Sequence, residues 1–208
     1  MVDSRCRIGY NKIIMTQKTF FTSDVHFGHA NIIRFCNRPY ASVEEMDEAI
    51  VAHWNETVGQ NDYIYILGDL SFSNADRTTA LVKRLNGIKV LVYGNHDKVI
   101  RNNRALRDMF AETHEFLERD FKLDGVPGKG KKFVMCHYAL RVWNKSHHGS
   151  FHLFGHSHGS LPDDGSRSMD VGLDANNMRI LSLKDVFDKL GSRELKVVDH
   201  HETAMGAL

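Results

Sequence analysis

The sequence predicts an α/β (α+β) fold with two β-sheets in one domain, and three observations carry that expectation. The first half alternates strand-like and helix-like segments in the order βαβαβ. The second half changes to a series of short strand-like segments separated by turn residues. Five of the strands then finish on clusters of polar residues, which places chemistry at strand ends rather than inside the core.

Lys18 to Ser23 is a short apolar strand that runs out at Asp24. A helix is expected from about Asn31 to Asn37, where Pro39 stops it. Ser42 with Glu45 three places on opens a second helix as a capping box, and Val43, Met46, Ile50 and Trp54 recur at helical spacing. "DYIYILGD" alternates as the second strand, "ADRTTALVKRLN" is an amphipathic helix stopped by Gly87, and "IKVLVYGNHD" is the third strand. "THEFLERDFKL" and "KKFVMCHY" read as strands joined by the turn "DGVPGKGK". Further strands are expected at "SFHLFGH", at "SMDVGLD" and near Met178–Leu181. Ser182 then begins the helix "SLKDVFDKL", and "ELKVV" reads as a last strand. Residues 1–17 are expected to be a flexible extension, 18–198 the domain and 199–208 a disordered tail.

Composition narrows the function classes. Lys plus Arg number 27 against 26 Asp plus Glu, so a net charge of +1 gives no global reason to expect a nucleic-acid or membrane binder. A local basic patch that could meet nucleic acid stays open but is not favoured. The three cysteines, Cys6, Cys36 and Cys136, form no CxxC pair, so a cytoplasmic, reducing location is expected rather than a disulfide scaffold. No apolar run reaches the roughly 20 residues of a bilayer span, and the N-terminus lacks the apolar core of a secretion signal. Histidine is the unusual component, 13 in all, gathered around the strand ends.

Those strand ends are Asp24-Val25-His26, Gly68-Asp69, Gly94-Asn95-His96-Asp97, Cys136-His137 and Gly155-His156-Ser157-His158. A spacing of two in Asp24-x-His26 and His156-x-His158 puts both side chains on one side of an extended segment. The glycines before Asp69, Asn95 and His156 are expected to permit tight turns that aim the next side chain into a shared cleft. Asp, Asn and His donors without a thiolate suit Mn, Fe, Zn, Ni or Co. Seven ligands (Asp24, His26, Asp69, Asn95, His137, His156 and His158) exceed one tetrahedral ion and fit two divalent metals sharing a carboxylate.

The ordered blocks DxH, GD, GNHD, H and GHxH, from about Phe20 to His158, resemble the calcineurin-like metallophosphoesterases. "SDVHFGHANIIRF" is also similar to a subgroup of small bacterial and phage proteins known as predicted phosphoesterases. The resemblance implies a four-layer αββα sandwich of two mixed β-sheets flanked by helices. It implies one metal on Asp24, His26, Asp69 and His158 and another on Asp69, Asn95, His137 and His156, with manganese favoured. A hydroxide bridging the metals would attack phosphorus, His96 would protonate the leaving oxygen, and Asp97 would orient His96. The implied substrate is a small phosphomonoester or phosphodiester, nucleotides included. Many relatives carry a further acidic residue soon after the GD block, where "GDLSFSNAD" offers Ser71 and Ser73 instead.

Some readings stay open. His29, Arg34 and Arg38 either contact a substrate phosphate or lie on a solvated helix face. Taken alone, His137 reads more readily as a core histidine, and His147 and His148, in a loop near the cleft, as surface residues. His53, His114, His152, His200 and His201 receive no role. A binding module that kept the fold and lost the chemistry is the alternative to an enzyme, and a nuclease of the same fold is a third reading. The oligomeric state is not legible.

Overall fold

Residues 17–123 and 130–198 are described by the structure, a computed structural model. The expected extension up to residue 16, most of the 124–131 turn and the tail from Asp199 lie outside the described residues.

Strands β1 (Thr19–Thr22), β2 (Tyr63–Ile66) and β3 (Ile88–Val92) are parallel neighbours. β4 (Glu112–His114) adds in parallel beside β3, and β9 (Leu181–Ser182) closes the other edge antiparallel to β1. The order is therefore β4-β3-β2-β1-β9. A second sheet runs β5 (Leu117–Phe121), β6 (Lys131–Met135), β7 (Phe151–Phe154) and β8 (Ser168–Asp170), antiparallel only between β5 and β6. Both sheets are mixed, as the resemblance implied.

Two expected strands are corrected. "THEFLERDFKL" is not one strand: it breaks at Glu115 and Phe116, giving β4 to the first sheet and β5 to the second. "ELKVV" forms no strand: it pairs with neither sheet, and Arg193 just before it ties this segment to the Ser166 and Ser168 carbonyls and Asp163 through its side chain.

Helix α1 (Ala30–Phe35) is followed by α2 (Val43–Thr57), whose N-cap Ser42 accepts from the Glu45 N–H at 3.1 Å. The Glu45 carboxylate reaches Ala41 N–H rather than Ser42 N–H, a capping box shifted by one residue. α3 (Ala75–Arg84) is capped by Asn74, α4 (Lys98–Asn102) and α5 (Arg104–Arg107) are single turns, and α6 (Leu183–Gly191) has a complete Ser182–Asp185 capping box.

Strand alternation divides the core in two. Phe20, Ile64, Ile66 and Leu91 face Met46, Ile50 and Trp54 of α2 and Leu81 of α3. Their neighbours Phe21, Tyr65, Leu67, Val90 and Val92 face Phe121, Phe133, Phe151 and Leu153 of the second sheet, joined by Val186 and Leu190 of α6. Phe133 and Phe151 meet edge to face at 5.3 Å, and Phe21 stacks on Phe133 at 5.7 Å. This packing brings the carboxyl ends of β1, β2 and β3 beside those of β6 and β7. No described helix is long and apolar enough to cross a membrane.

Candidate metal centre

The loop after β1 carries Asp24 and His26 and lies against the loop after β2. Asp24, His26 and Phe27 donate their N–H groups to the Gly68, Asp69 and Leu70 carbonyls, each at 3.0 Å. Asp24 spans the two sheets, since its Oδ2 accepts the His156 N–H at 2.9 Å. Asp69 is fixed by the third loop: its Oδ1 accepts the His96 N–H at 2.9 Å.

Five candidate ligands hold left-handed backbone conformations: Asp24, His26, Asp69, His156 and His158, with φ between 47° and 67°. Asp and His tolerate this region better than most residues, yet each costs roughly 1–2 kcal/mol. The glycines work differently from the sequence expectation. Gly68 does turn with φ +96°, but Gly94 matters for room: a Cβ there would stand 2.1 Å from Asp69 Oδ1. The sharp turns fall largely on the ligands themselves.

The side chains gather as two triads whose donor atoms lie within 4.8 Å of one another: Asp24, His26 and His158, and Asp69, His137 and His156. Asp69 Oδ2 lies between them, 3.8 Å from His26 Nε2 and 3.4 Å from His137 Nε2. Asn95 joins the second group, its Oδ1 3.0 Å from His137 Nε2. Asp24 Oδ1 and His26 Nε2 are buried without a hydrogen-bond partner. Buried polar atoms are rarely left so, and a divalent cation that prefers oxygen and imidazole ligands satisfies both. The donor set therefore fits metal binding. Burial alone would raise the Asp69 carboxyl, but the adjacent His137 ring and the His96 N–H outweigh it and hold the pKa low.

Two of these histidines, His137 and His158, are oriented from behind. His137 Nδ1 donates to the Leu67 carbonyl at 2.7 Å, leaving Nε2 for the centre. His158 Nδ1 lies 2.6 Å from Asp174 Oδ2, and Cys36 Sγ approaches the same nitrogen at 3.4 Å. Asp174 is held in turn by Arg38, through Nε at 2.8 Å and Nη2 at 2.9 Å. Burial opposes the Asp174 charge, but His158 and Arg38 hold its pKa at about 2.

Two roles expected from the sequence are corrected here. Arg38 does not face a substrate: it is buried, and it also donates to the Asp24 and Val25 carbonyls at 2.7 and 2.9 Å. Its fork braces the first ligand loop and Asp174. Asp97 does not orient the His96 ring. Its carboxylate accepts the Asp69, Leu70 and Gly94 N–H groups at 2.8–2.9 Å, tying the second loop to the third, and burial raises its pKa.

His96 is exposed, its ring 4.3 Å from Phe72 and 5.9 Å from His26. His29 follows the left-handed Gly28, stacks on Phe72 at 3.9 Å, and sets its Nδ1 3.3 Å from His26 Nδ1. Burial, with His26 beside it, lowers its pKa to about 4. Arg34 is exposed, its guanidinium 5.4 Å from the Phe35 ring centre. His152 is a satisfied core histidine, bonded to Val134 O and Leu140 N. Asp174 and Phe72 are the residues sequence reasoning missed. Asp174 lies in a segment where the pattern spoke only of a strand, and Phe72 sat between the two serines that drew attention.

Strand-end loops and buried unpartnered donors fit a metal-dependent hydrolase of phosphate esters, and the comparisons name that class. The chain belongs to the calcineurin-like phosphoesterase family, whose sequence profile matches residues 18–202. An uncharacterized protein of Methanocaldococcus jannaschii is 32% identical over 182 residues, covering 84% of this chain and 91% of that one. The gene 66 protein of a Mycobacterium phage is 27% identical over 193 residues, covering 82% and 92%. A protein of unknown function from Aquifex aeolicus shares the fold, with a TM-score of 0.62 and 21% identity over 83% of this chain and 98% of that one.

Proposed function

We propose that the protein is a binuclear-metal phosphoesterase acting on phosphodiesters or phosphomonoesters. Asp24, His26, Asp69 and His158 hold one divalent cation, and Asp69, Asn95, His137 and His156 hold the other, with manganese the favoured metal. The observation that carries this reading is Asp69 Oδ2, set between two histidine-bearing triads and within 4 Å of a ring nitrogen in each. When bound, such a pair supplies Lewis acidity towards phosphoryl oxygens and lowers the pKa of a water. The chain's own part is to hold the charge and move the proton. Asp24 and Asp69 bring two carboxylates into one buried pocket and so balance cationic charge there. His96, exposed at the lip, gives a proton to the departing oxygen. Its backbone N–H on Asp69 fixes where that ring begins.

The test is chelation followed by reloading. Hydrolysis of p-nitrophenyl and bis(p-nitrophenyl) phosphate should vanish in chelator and return with Mn²⁺, with metal content approaching two ions per chain. Turnover indifferent to chelator overturns the reading. His96→Ala should slow alkyl esters far more than nitrophenyl esters, whose leaving group needs little protonation; equal losses would remove His96 from the acid role.

A further inference from the structure

We infer that His29 is a positioning residue for the metal centre: its ring takes the Nδ1 proton of His26 and so aims the opposite nitrogen of that ligand at the buried carboxylates. This role rests on the phosphoesterase reading above and differs from the phosphate contact that the place of His29 in the sequence left open.

The positions of the two rings fix where their protons sit. His26 Nε2 is buried, has no hydrogen-bond partner, and lies 3.8 Å from both Asp24 Oδ1 and Asp69 Oδ2. That nitrogen must keep its lone pair to meet a cation, so the ring proton of His26 is on Nδ1. The group facing Nδ1 at 3.3 Å is His29 Nδ1. Two nitrogens in hydrogen-bond contact share one proton, so His29 accepts with Nδ1 and carries its own proton on Nε2. A metal-binding imidazole nearly always gives its second N–H to an acceptor behind it. His137 uses the Leu67 carbonyl and His158 uses Asp174; His26 uses a second imidazole.

The backbone and a ring stack hold His29 where this contact needs it. Gly28 turns left-handed at φ +76°, and a Cβ there would stand 2.0 Å from Ser73 Oγ, so the close approach of the two loops requires glycine. The Asp47 carboxylate accepts the Gly28 N–H at 3.0 Å, and the His29 N–H donates to the His26 carbonyl at 3.1 Å. The His29 ring then lies on Phe72, 3.9 Å between centroids and 13° between planes. Phe72 is fixed by its own N–H on the Phe27 carbonyl at 2.8 Å, and it also carries the His96 ring at 4.3 Å. One phenyl ring thus supports both the brace of His26 and the proposed proton donor.

The test separates the acceptor from the stack. His29→Phe keeps a ring against Phe72 and loses the accepting nitrogen, whereas His29→Gln supplies an accepting oxygen without the ring. Calorimetric titration of the metal-free protein with Mn²⁺ should show one ion held about tenfold more weakly in His29→Phe, the scale of a lost outer-shell partner. Affinity should largely return in His29→Gln. Phe72→Ala should weaken the same ion less, because the Gly28 turn still points His29 at His26. A second readout needs neither metal nor turnover. With ¹⁵N-labelled histidine, the metal-free wild type should show His26 protonated on Nδ1 and His29 on Nε2, and His29→Phe should move His26 towards the Nε2–H tautomer. Unchanged metal affinity in His29→Phe, equal weakening of both ions, or a wild-type His26 protonated on Nε2 overturns the brace and leaves the phosphoesterase reading intact. The expected tautomers and titrations in a protein that hydrolyses no phosphate ester would support the brace and sink the phosphoesterase reading instead.

Discussion

The two sheets contribute unlike chemistry to one centre. Loops after β1, β2 and β3 of the five-stranded sheet supply both carboxylates and the amide, Asp24, Asp69 and Asn95, with a single histidine ligand candidate, His26. Loops after β6 and β7 of the four-stranded sheet supply imidazoles alone, His137, His156 and His158. The first set is braced chiefly by Asp97 across two loops of its own sheet, with Asp24 also accepting the His156 N–H from the other. The second is braced by the Leu67 carbonyl of the first sheet and by Asp174 in the loop that follows β8. Charge is thus fixed on one sheet, and the histidines reach it only because the aromatic layer holds the sheets face to face. Neither half contains a complete site.

The largest way to break this arrangement is to remove Asp69, the carboxylate proposed to serve both halves. Asp69→Asn keeps an oxygen for the His96 N–H and so preserves the loop, but loses the charge and one strong ligand atom. Activity should fall by about a thousandfold or more, equivalent to several kcal/mol of lost transition-state stabilisation. Metal content should drop to one ion or fewer. Elemental analysis and kcat/KM together check this; a variant that keeps two ions and most of its rate would show that Asp69 does not join the halves.

Much of this was legible in the sequence because strands and ligands share a simple rule: the apolar run stops and the next residues are donors. The βαβαβ half follows that rule, as do the candidate ligands that gather at the strand ends, while the Ser42 and Ser182 caps were legible from their own cap spacing. What was not legible depends on contacts distant in sequence. Arg38 looked like a phosphate binder because a lone arginine near a motif reads as a free cation, and only the fold brings Asp174, 136 residues away, onto its fork. Asp97 looked like a partner for its neighbour in sequence, but its carboxylate turns back to Asp69 and Leu70. The break in "THEFLERDFKL" was invisible because only Glu115 and Phe116, with no Gly or Pro, separate β4 from β5, which join different sheets.

A smaller effect sharpens the contrast on the second sheet, where one histidine is core rather than ligand. His152 is held neutral by burial, with its pKa lowered to about 4 from 6.5. The native state therefore stays unprotonated where the unfolded chain takes up a proton. Its contribution to stability is complete above about pH 6.5 and shrinks as pH falls towards 4, a loss of roughly 2 kcal/mol between pH 7 and 5. His152→Gln can still accept from Leu140 N–H and donate to Val134 O, so it should flatten this slope in denaturant titrations. Identical slopes in both proteins would show that His152 does not carry this acid sensitivity.

The finest test separates the two braces. His137 leans on a neutral carbonyl and His158 on the Asp174 carboxylate, so removing a charge behind one histidine should touch one triad only. Asp174→Asn keeps the shape and removes the charge, and outer-shell changes of this kind cost about tenfold in metal affinity. A stepwise metal titration against a chromophoric chelator should therefore show one site weakened and the other unmoved. The buried Arg38 guanidinium also loses its ion-pair partner, so thermal unfolding of the metal-free variant should be lowered as well. That second change is what makes the stoichiometric titration decisive: a general loosening of the fold would weaken both sites together. Loss confined to one ion would place Asp174 behind His158 alone.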